Sequence, residues 1–203
     1  MAGKQLKRIW HFIWDDDSIW SWIVNIILDF ILIKFLVYPG LGLILSTSHP
    51  VVAVVSSSME HSAQFDEWWG ENGAWYSTIN MSKEDFSSYS FANGFNKGDI
   101  MILQGRNPAD IEVGEVLVFI SSRTNPKPDP IIHRVVKKWE ENGVFHFQTK
   151  GDNNARQINE CQGGYCIFEN DIGQNQVVGK ALFRIPLLGY IKIWFVDMLT
   201  LFR

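Results

Sequence analysis

Apolar residues are concentrated near the amino terminus of the chain. Residues 18–38 form one long apolar run, which is long enough to cross the roughly 30 Å hydrocarbon core of a bilayer. Trp20 and Trp22 at one end and Tyr38 at the other stand where interfacial aromatic anchors are found. The pattern predicts a transmembrane anchor over residues 18–46. A buried helix of a soluble protein is the alternative, whereas the length of the run and the lack of an obvious Ala-x-Ala site disfavour a cleaved signal peptide.

The charges that flank the apolar run predict its orientation. Lys4, Lys7 and Arg8 precede it within residues 1–17. Basic residues beside a span tend to stay in the cytoplasm. We therefore expect a cytoplasmic amino terminus, an integral location in the cell membrane, and an extracytoplasmic position for the rest of the chain.

Short apolar runs separated by turn residues follow the anchor. They predict strands at 51–55, 98–104, 113–120, 131–136, 144–149 and 176–183. Asn142-Gly143 between two of these runs is a strong hairpin signal. The fold class predicted is a mainly β domain over residues 47–186, preceded by the transmembrane α-helix and followed by a short apolar helix.

Two segments do not fit the strand pattern. Residues 61–96 are rich in aromatic side chains, and Ser82 with Asp85 resembles a capping box that starts a short helix. This segment is either a packed insertion or a lid over a substrate or membrane surface. Residues 187–203 are apolar but short for a span, so they form an interfacial helix or a second anchor.

Composition narrows the classes of function. The net charge of −4 disfavours a nucleic-acid-binding surface. Cys161 and Cys166 are too few for a structural zinc site. Outside the cytoplasm they could form a small-loop disulfide, and inside they would be free thiols.

The parts of an acyl-transfer site are present in the predicted β domain. Ser56, Ser57 and Ser58 follow a strand, His133 lies within a strand, and Asp152 lies in the turn Lys150-Gly-Asp-Asn-Asn154. An imidazole can take the proton of a serine hydroxyl, and a carboxylate can orient the imidazole. Each of these residues alone is typical of an ordinary turn or strand, and the combination favours catalysis.

Several of these segments together resemble type I signal peptidases of the archaeal and endoplasmic-reticulum type. The resemblance covers residues 20–60 and 97–190, and it rests on five stretches in the family's order: 56–60 (Ser-Ser-Ser-Met-Glu), 97–101 (Lys-Gly-Asp-Ile-Met), 133–136 (His-Arg-Val-Val), 149–154 (Thr-Lys-Gly-Asp-Asn-Asn) and 178–184 (Val-Gly-Lys-Ala-Leu-Phe-Arg). The resemblance implies a signal-peptidase-like β fold. It also implies a membrane-bound serine endopeptidase that removes signal peptides from exported preproteins and needs no metal or organic cofactor.

The resemblance also implies roles for individual residues. Ser58 is the expected nucleophile, His133 the general base, and Ser56 a hydroxyl donor to the oxyanion. Asp152 is the first choice for the acid that orients His133, with Glu160 second and Asp171 third. The acid is the weakest assignment, because no Asp follows a few residues after the Gly-Asp-Asn turn as it commonly does in the family. The chain also has His61 where the family usually has Pro after Ser-Met-Glu, and the insertion 61–96 is absent from compact members.

The partners expected are preproteins with signal peptides, membrane lipid and the protein-export channel, with no nucleic acid. The alternative function is a catalytically silent, membrane-anchored β module that binds preproteins or the export machinery. A serine hydrolase acting on another membrane substrate is a third reading. Contact between His133 and Ser58, with a carboxylate behind His133, would separate the catalytic readings from the silent one.

Overall fold

A computed structural model describes residues 2–121, 130–162, 165–191, 193, 194 and 198. The chain divides into two compact units, Met1–Ile44 and Leu45–Arg203. The proline-rich stretch 125–130 lies almost wholly outside the described residues, as does much of the segment 187–203.

The amino-terminal unit is helical. Helix α1 (Ala2–Trp14) is followed by α2 (Ile19–Leu32), a π-helical turn (Ile33–Val37) and α3 (Tyr38–Ile44). The last three elements form one continuous apolar helix of 26 residues, Ile19–Ile44, which contains an 18-residue stretch with a mean hydropathy of 2.0. Its length and composition suffice to cross a membrane. Ser18 caps α2 by accepting a hydrogen bond from the Ser21 N–H, and the Asn25 amide donates to the Ile13 carbonyl, which satisfies a polar group in this apolar stretch.

The second unit is built on an antiparallel sheet of seven strands in the order β1-β2-β9-β3-β4-β5-β8. A separate two-stranded sheet pairs β6 with β7. The strands are β1 (Val51–Ala53), β2 (Ile100–Gln104), β3 (Val116–Ile120), β4 (Pro130–Glu141), β5 (Val144–Lys150), β6 (Asn159–Gln162), β7 (Tyr165–Phe168), β8 (Ile172–Gly173) and β9 (Val177–Ile185).

This architecture confirms the predicted fold class, a mainly β domain with an amino-terminal apolar helix. The β4–β5 hairpin turns at Asn142 and Gly143, which both have positive φ (50° and 77°), as the sequence predicted. Strand β1 is shorter than expected, because it ends at Ala53, and it is a half-buried edge strand rather than a buried one. The pairs β6–β7 and the strand β8 were not predicted.

Residues 61–96 form a packed insertion rather than an open lid. They contain α4 (Phe65–Ser77) and α5 (Lys83–Ser88), and the predicted capping box of Ser82 and Asp85 begins α5. Trp68, Tyr76 and Phe86 are fully buried and share an apolar cluster with Val136 of β4. Burying three large aromatic side chains stabilises the insertion by several kcal/mol, at about 1.5–3 kcal/mol for each apolar side chain. The insertion is therefore part of the core that supports β4.

Candidate active site

The chain leaves the sheet at the end of β1 and immediately presents the three serines. The buried Val54 ties this exit to the sheet, since its N–H donates to the Asp99 carbonyl at 2.9 Å and its carbonyl accepts from the Gly98 N–H at 2.9 Å. Met59, 1% exposed, anchors the other end in the main apolar core. Ser58 is thus held between two buried apolar residues, with its hydroxyl free to face the sheet.

His133 lies on β4 opposite Leu117 of β3, and it is 3% exposed. Its Nε2 atom is 2.9 Å from the Ser58 Oγ atom. The structure therefore brings together the nucleophile and the base that the sequence predicted, although they are 75 residues apart in the chain. This contact is the one that distinguishes a catalytic reading from a silent module.

The carboxylate behind His133 belongs to Glu169, which the sequence analysis did not consider. The Glu169 Oε1 atom lies 2.5 Å from the His133 Nδ1 atom. Thr149 Oγ donates to the same oxygen at 3.0 Å, and the Ile158 N–H donates to Oε2 at 2.6 Å. Because a carboxylate accepts at Nδ1, that nitrogen carries the proton and Nε2 is left as the acceptor for the serine hydroxyl.

Ser56 supplies a second hydroxyl next to Ser58. Its Oγ atom is 3.1 Å from the Ser58 Oγ atom, and its side chain is exposed. A hydroxyl at this position can reach the oxygen of a carbonyl that Ser58 attacks. The predicted neighbourhood of Ser56 and Ser58 is therefore present.

The turn after β5 closes around Ser58. The Asn153 N–H donates to the Ser58 carbonyl at 2.8 Å, and its amide donates to the Ser57 carbonyl at 3.1 Å. A Cβ atom added to Gly151 would lie 2.9 Å from both His133 Nε2 and the Ser58 carbonyl oxygen. Only glycine lets this turn approach so closely, so residues 151–153 fix the backbone of Ser58 relative to His133.

Comparisons with known proteins agree with this geometry. No protein-family model matches the chain. The signal peptidase complex catalytic subunit sec11 of Neurospora crassa is 27% identical over 160 residues, covering 78% of this chain and 71% of the relative. The corresponding subunits of Pyricularia oryzae and Pyrenophora tritici-repentis are 27% and 29% identical over 171 residues, covering 82% of this chain and 77% of each relative.

This chain is a homologue of the endoplasmic-reticulum type of type I signal peptidase.

In this signal peptidase homologue, Asp152 contacts Arg134 and not His133. Its two carboxylate oxygens accept from Arg134 Nε at 2.9 Å and from a terminal nitrogen of the same guanidinium at 2.7 Å. The Tyr76 hydroxyl donates to it at 2.9 Å, and His61 Nε2 lies 3.1 Å away. Asp152 is fully buried, so its carboxylate is the centre of a closed polar network.

Arg134 completes that network and ties the insertion to the sheet. Its remaining N–H groups donate to the carbonyls of Ser90, Phe91 and Gly114, so the five donors of the guanidinium make five hydrogen bonds. The guanidinium also lies over the Phe86 ring, 4.4 Å from its centroid. No local pattern predicts this network, and Arg134 is distinguished in the sequence only by its position next to His133.

The network perturbs the pKa values of its members. Burial alone would raise the pKa of Asp152, but the Arg134 charge and the hydrogen bonds from His61 and Arg134 hold it well below its ordinary value. Burial, followed by the neighbouring Asp152 carboxylate, raises the pKa of Tyr76 well above its ordinary value. At neutral pH the Asp152 carboxylate is therefore ionised, and the Tyr76 hydroxyl keeps its proton and can donate a hydrogen bond.

Lys150 lies next to this network as a second buried cation. It is 1% exposed, its Nζ atom donates to the Gly151 carbonyl at 3.0 Å, and it lies over the Tyr76 ring, 4.7 Å from the centroid. Burial lowers the pKa of Lys150 to about 8. The cation thus bridges the insertion and the turn that holds Ser58.

The other predicted acids also lie elsewhere. Glu160 is exposed on β6, opposite Ile167, and Asp171 pairs with His146 Nδ1 at 2.7 Å on the surface. The assignment of Asp152, Glu160 or Asp171 as the partner of His133 does not agree with these contacts, because Glu169 occupies Nδ1. The cysteines, for which both states were open, form a Cys161–Cys166 disulfide. Among the described residues, no group of three His, Cys, Asp or Glu side chains is placed to hold a metal ion.

Proposed function

We propose that this chain is a membrane-bound serine endopeptidase that removes signal peptides from exported preproteins. The observation that carries the proposal is the hydrogen-bonded series from Ser58 Oγ through His133 to Glu169, at 2.9 Å and 2.5 Å. A hydroxyl, an imidazole and a carboxylate in this arrangement form an activated nucleophile. The homologous catalytic subunits carry the same activity in their name.

The geometry supports the following reaction. Ser58 Oγ attacks the carbonyl carbon of the scissile bond while His133 Nε2 takes its proton. The negative charge on the carbonyl oxygen is stabilised by the Ser58 backbone N–H and the Ser56 hydroxyl, and each such donor contributes about 3–4 kcal/mol. His133 then gives the proton to the departing amine, and a water molecule activated by His133 hydrolyses the acyl-enzyme.

Glu169 is the acid in this proposal, in place of Asp152. Its buried carboxylate keeps the proton of the imidazole on Nδ1 and stabilises the imidazolium that forms during attack. Asp152 instead has a structural role. Its contacts to Arg134 and Tyr76 fix the turn at residues 151–153, whose backbone binds the Ser58 carbonyl.

The substrate binds as an extended segment beside β1, the strand that precedes the serines. Strand β1 is at the edge of the main sheet, so its outer side can accept a further strand. The apolar helix Ile19–Ile44 tethers the catalytic unit to the cell membrane, with a cytoplasmic amino terminus and an extracytoplasmic active site. The Cys161–Cys166 disulfide supports that side of the membrane, since disulfides persist in oxidising compartments. Lipid, other subunits of a peptidase complex and the export channel are the expected partners.

Cleavage of a preprotein by the purified full-length chain in detergent or proteoliposomes tests the proposal. We expect cleavage after a small residue, and we expect Ser58→Ala and His133→Ala to abolish it. A matched variant, His146→Ala, removes a surface imidazole and should keep full activity. Retention of cleavage by Ser58→Ala would overturn the proposal.

A further inference from the structure

Glu169 is delivered to His133 by an element outside the main sheet. It directly follows β7, and its backbone N–H donates to the carbonyl of Ile158, the residue that precedes β6, at 2.9 Å. The Ile158 N–H returns a hydrogen bond to the Glu169 carboxylate. The two residues thus form the base of the β6–β7 hairpin, and the position of the carboxylate depends on where that base sits.

The described side chains of the hairpin give it little apolar support. Among residues 159–161 and 166–168, whose side chains the structure describes, none belongs to the three apolar clusters that form the core. Phe168 is 44% exposed, and Glu160 and Cys161 are exposed. An isolated two-stranded hairpin is at best marginally stable in water. Hydrogen bonds at its base hold the described part of the hairpin to the sheet: the Thr149 hydroxyl donates to the Glu169 carboxylate, and the Thr149 N–H and the Gln157 amide donate to the Glu169 carbonyl.

The Cys161–Cys166 disulfide closes this hairpin. The two cysteines face one another across the strands, two pairs beyond Asn159 and Phe168 at the base. A covalent bond between facing residues restricts the hairpin to its native register and limits the conformations of the opened state. It lies on the surface, so a soluble thiol can reach it.

We infer that the Cys161–Cys166 disulfide is a positioning device for Glu169, so that reduction of the disulfide lowers the peptidase activity. The inference rests on the proposed function, and on Glu169 as its acid. Reduction by dithiothreitol breaks the S–S bond, adds a proton to each sulfur, and converts the reagent to its cyclic disulfide. The hairpin then loses its covalent closure, and Glu169 no longer stays in contact with His133 Nδ1.

The test measures kcat and KM of the full-length chain on a cysteine-free preprotein. The chain has only these two cysteines, so dithiothreitol has one target. We expect Cys161→Ser/Cys166→Ser and the reduced wild type to lose kcat more than tenfold, approaching the loss of about 10²-fold that follows a misplacement of about 1 Å. KM should be nearly unchanged, because the cysteines lie on β6 and β7, whereas the proposed substrate position is beside β1. Dithiothreitol added to the serine variant is the control and should have no effect.

A double-mutant cycle decides whether the effect passes through Glu169. In a Glu169→Ala background, the cysteine substitutions should cause no further loss of kcat, because the group that they position is already absent. Equal losses in both backgrounds would overturn the inference, as would unchanged kcat in the reduced wild type with only a lower melting temperature. Failure of the proposed function has a different signature: the oxidised wild type would not cleave the preprotein, or Ser58→Ala would keep cleaving it.

Discussion

Replacing Asp152 with asparagine separates the structural network from the catalytic one. The substitution keeps the shape of the side chain but removes the charge that faces Arg134 at 2.7 Å. Arg134 would then be a buried cation without a counter-ion, and breaking a buried pair in this way costs about 3–5 kcal/mol. The NH2 group of the amide would also replace one of the two oxygens, either Oδ1, which accepts from Arg134 Nε and Tyr76, or Oδ2, which accepts from Arg134 and contacts His61 Nε2.

We expect Asp152→Asn to lower the stability of the fold strongly and kcat only slightly. At about 2–4 °C per kcal/mol for a chain of this size, the melting temperature should fall by about 6–20 °C. Because the pKa of Asp152 is held below its ordinary value, its stabilising charge is present above the usual carboxyl range and disappears as pH falls. The difference in stability between wild type and Asp152→Asn should therefore shrink below about pH 4.

The assay combines thermal unfolding of the full-length chain in detergent with preprotein cleavage well below the melting temperature. We expect kcat to fall less than tenfold, since Asn153 still holds the Ser58 carbonyl. The matched control is Asp171→Asn, which removes an exposed partner of His146 and should change neither quantity measurably. A loss of kcat of about 10³-fold or more without any change in melting temperature would refute the structural role of Asp152 and return it to the position of the acid.

Three further substitutions test other parts of the account. Ser56→Ala should lower kcat about 10²-fold with little effect on melting temperature, as for loss of one oxyanion donor, and single-turnover cleavage measures it. Gly151→Ala should lower kcat by at least about 10²-fold, because its Cβ would press on His133 and the Ser58 carbonyl; normal kcat would show that the turn has room to move. The pKa of Lys150 is about 8 in the folded chain, below its ordinary 10.5. Between pH 8 and 10.5 the unfolded chain therefore holds a proton that the folded chain lacks. The free energy of unfolding should rise with pH over this range because of Lys150. Lys150→Met should remove that rise, up to about 3 kcal/mol between pH 8 and 10.5 in chemical unfolding; an unchanged slope would contradict the buried charge.

The parts of the fold that the sequence predicted depend on local patterns. Alternation and turn residues were enough for β2, β3, β4, β5 and β9, and for the hairpin turn at Asn142-Gly143. The strand β8 has two residues and β6–β7 has four on each side, too short for a periodic signal. The facing cysteines were the only local sign of the β6–β7 hairpin.

Prediction of the site from the sequence also depends on local patterns. Ser58 and His133 stood in short, recognisable stretches, and the structure places them in contact. Asp152 lies in such a stretch as well, but its carboxylate accepts hydrogen bonds from Arg134 and Tyr76. Tyr76 belongs to the packed insertion, so this arrangement depends on how the insertion packs. Glu169 follows an exposed hairpin in a stretch that also contains Asp171, so local sequence gave no reason to prefer it. If Cys161 and Cys166 are interpreted as facing residues of a closed hairpin, the residues at the base of that hairpin become candidates for the acid.

Cleavage of a preprotein by Glu169→Gln tests the central claim most directly. The amide keeps the volume of the side chain, but its NH2 group replaces one of the two oxygens and so opposes either His133 Nδ1 at Oε1 or the Ile158 N–H at Oε2. An NH2 group at Oε1 favours the wrong imidazole tautomer, and in either orientation the charge that stabilises the imidazolium is gone. Our account predicts a loss of kcat of about 10⁴-fold, the magnitude known for the same change of acid to amide in a serine protease triad, with the chain still folded. A Glu169→Gln protein that cleaves within tenfold of the wild-type rate would contradict the assignment of Ser58, His133 and Glu169 as one catalytic unit.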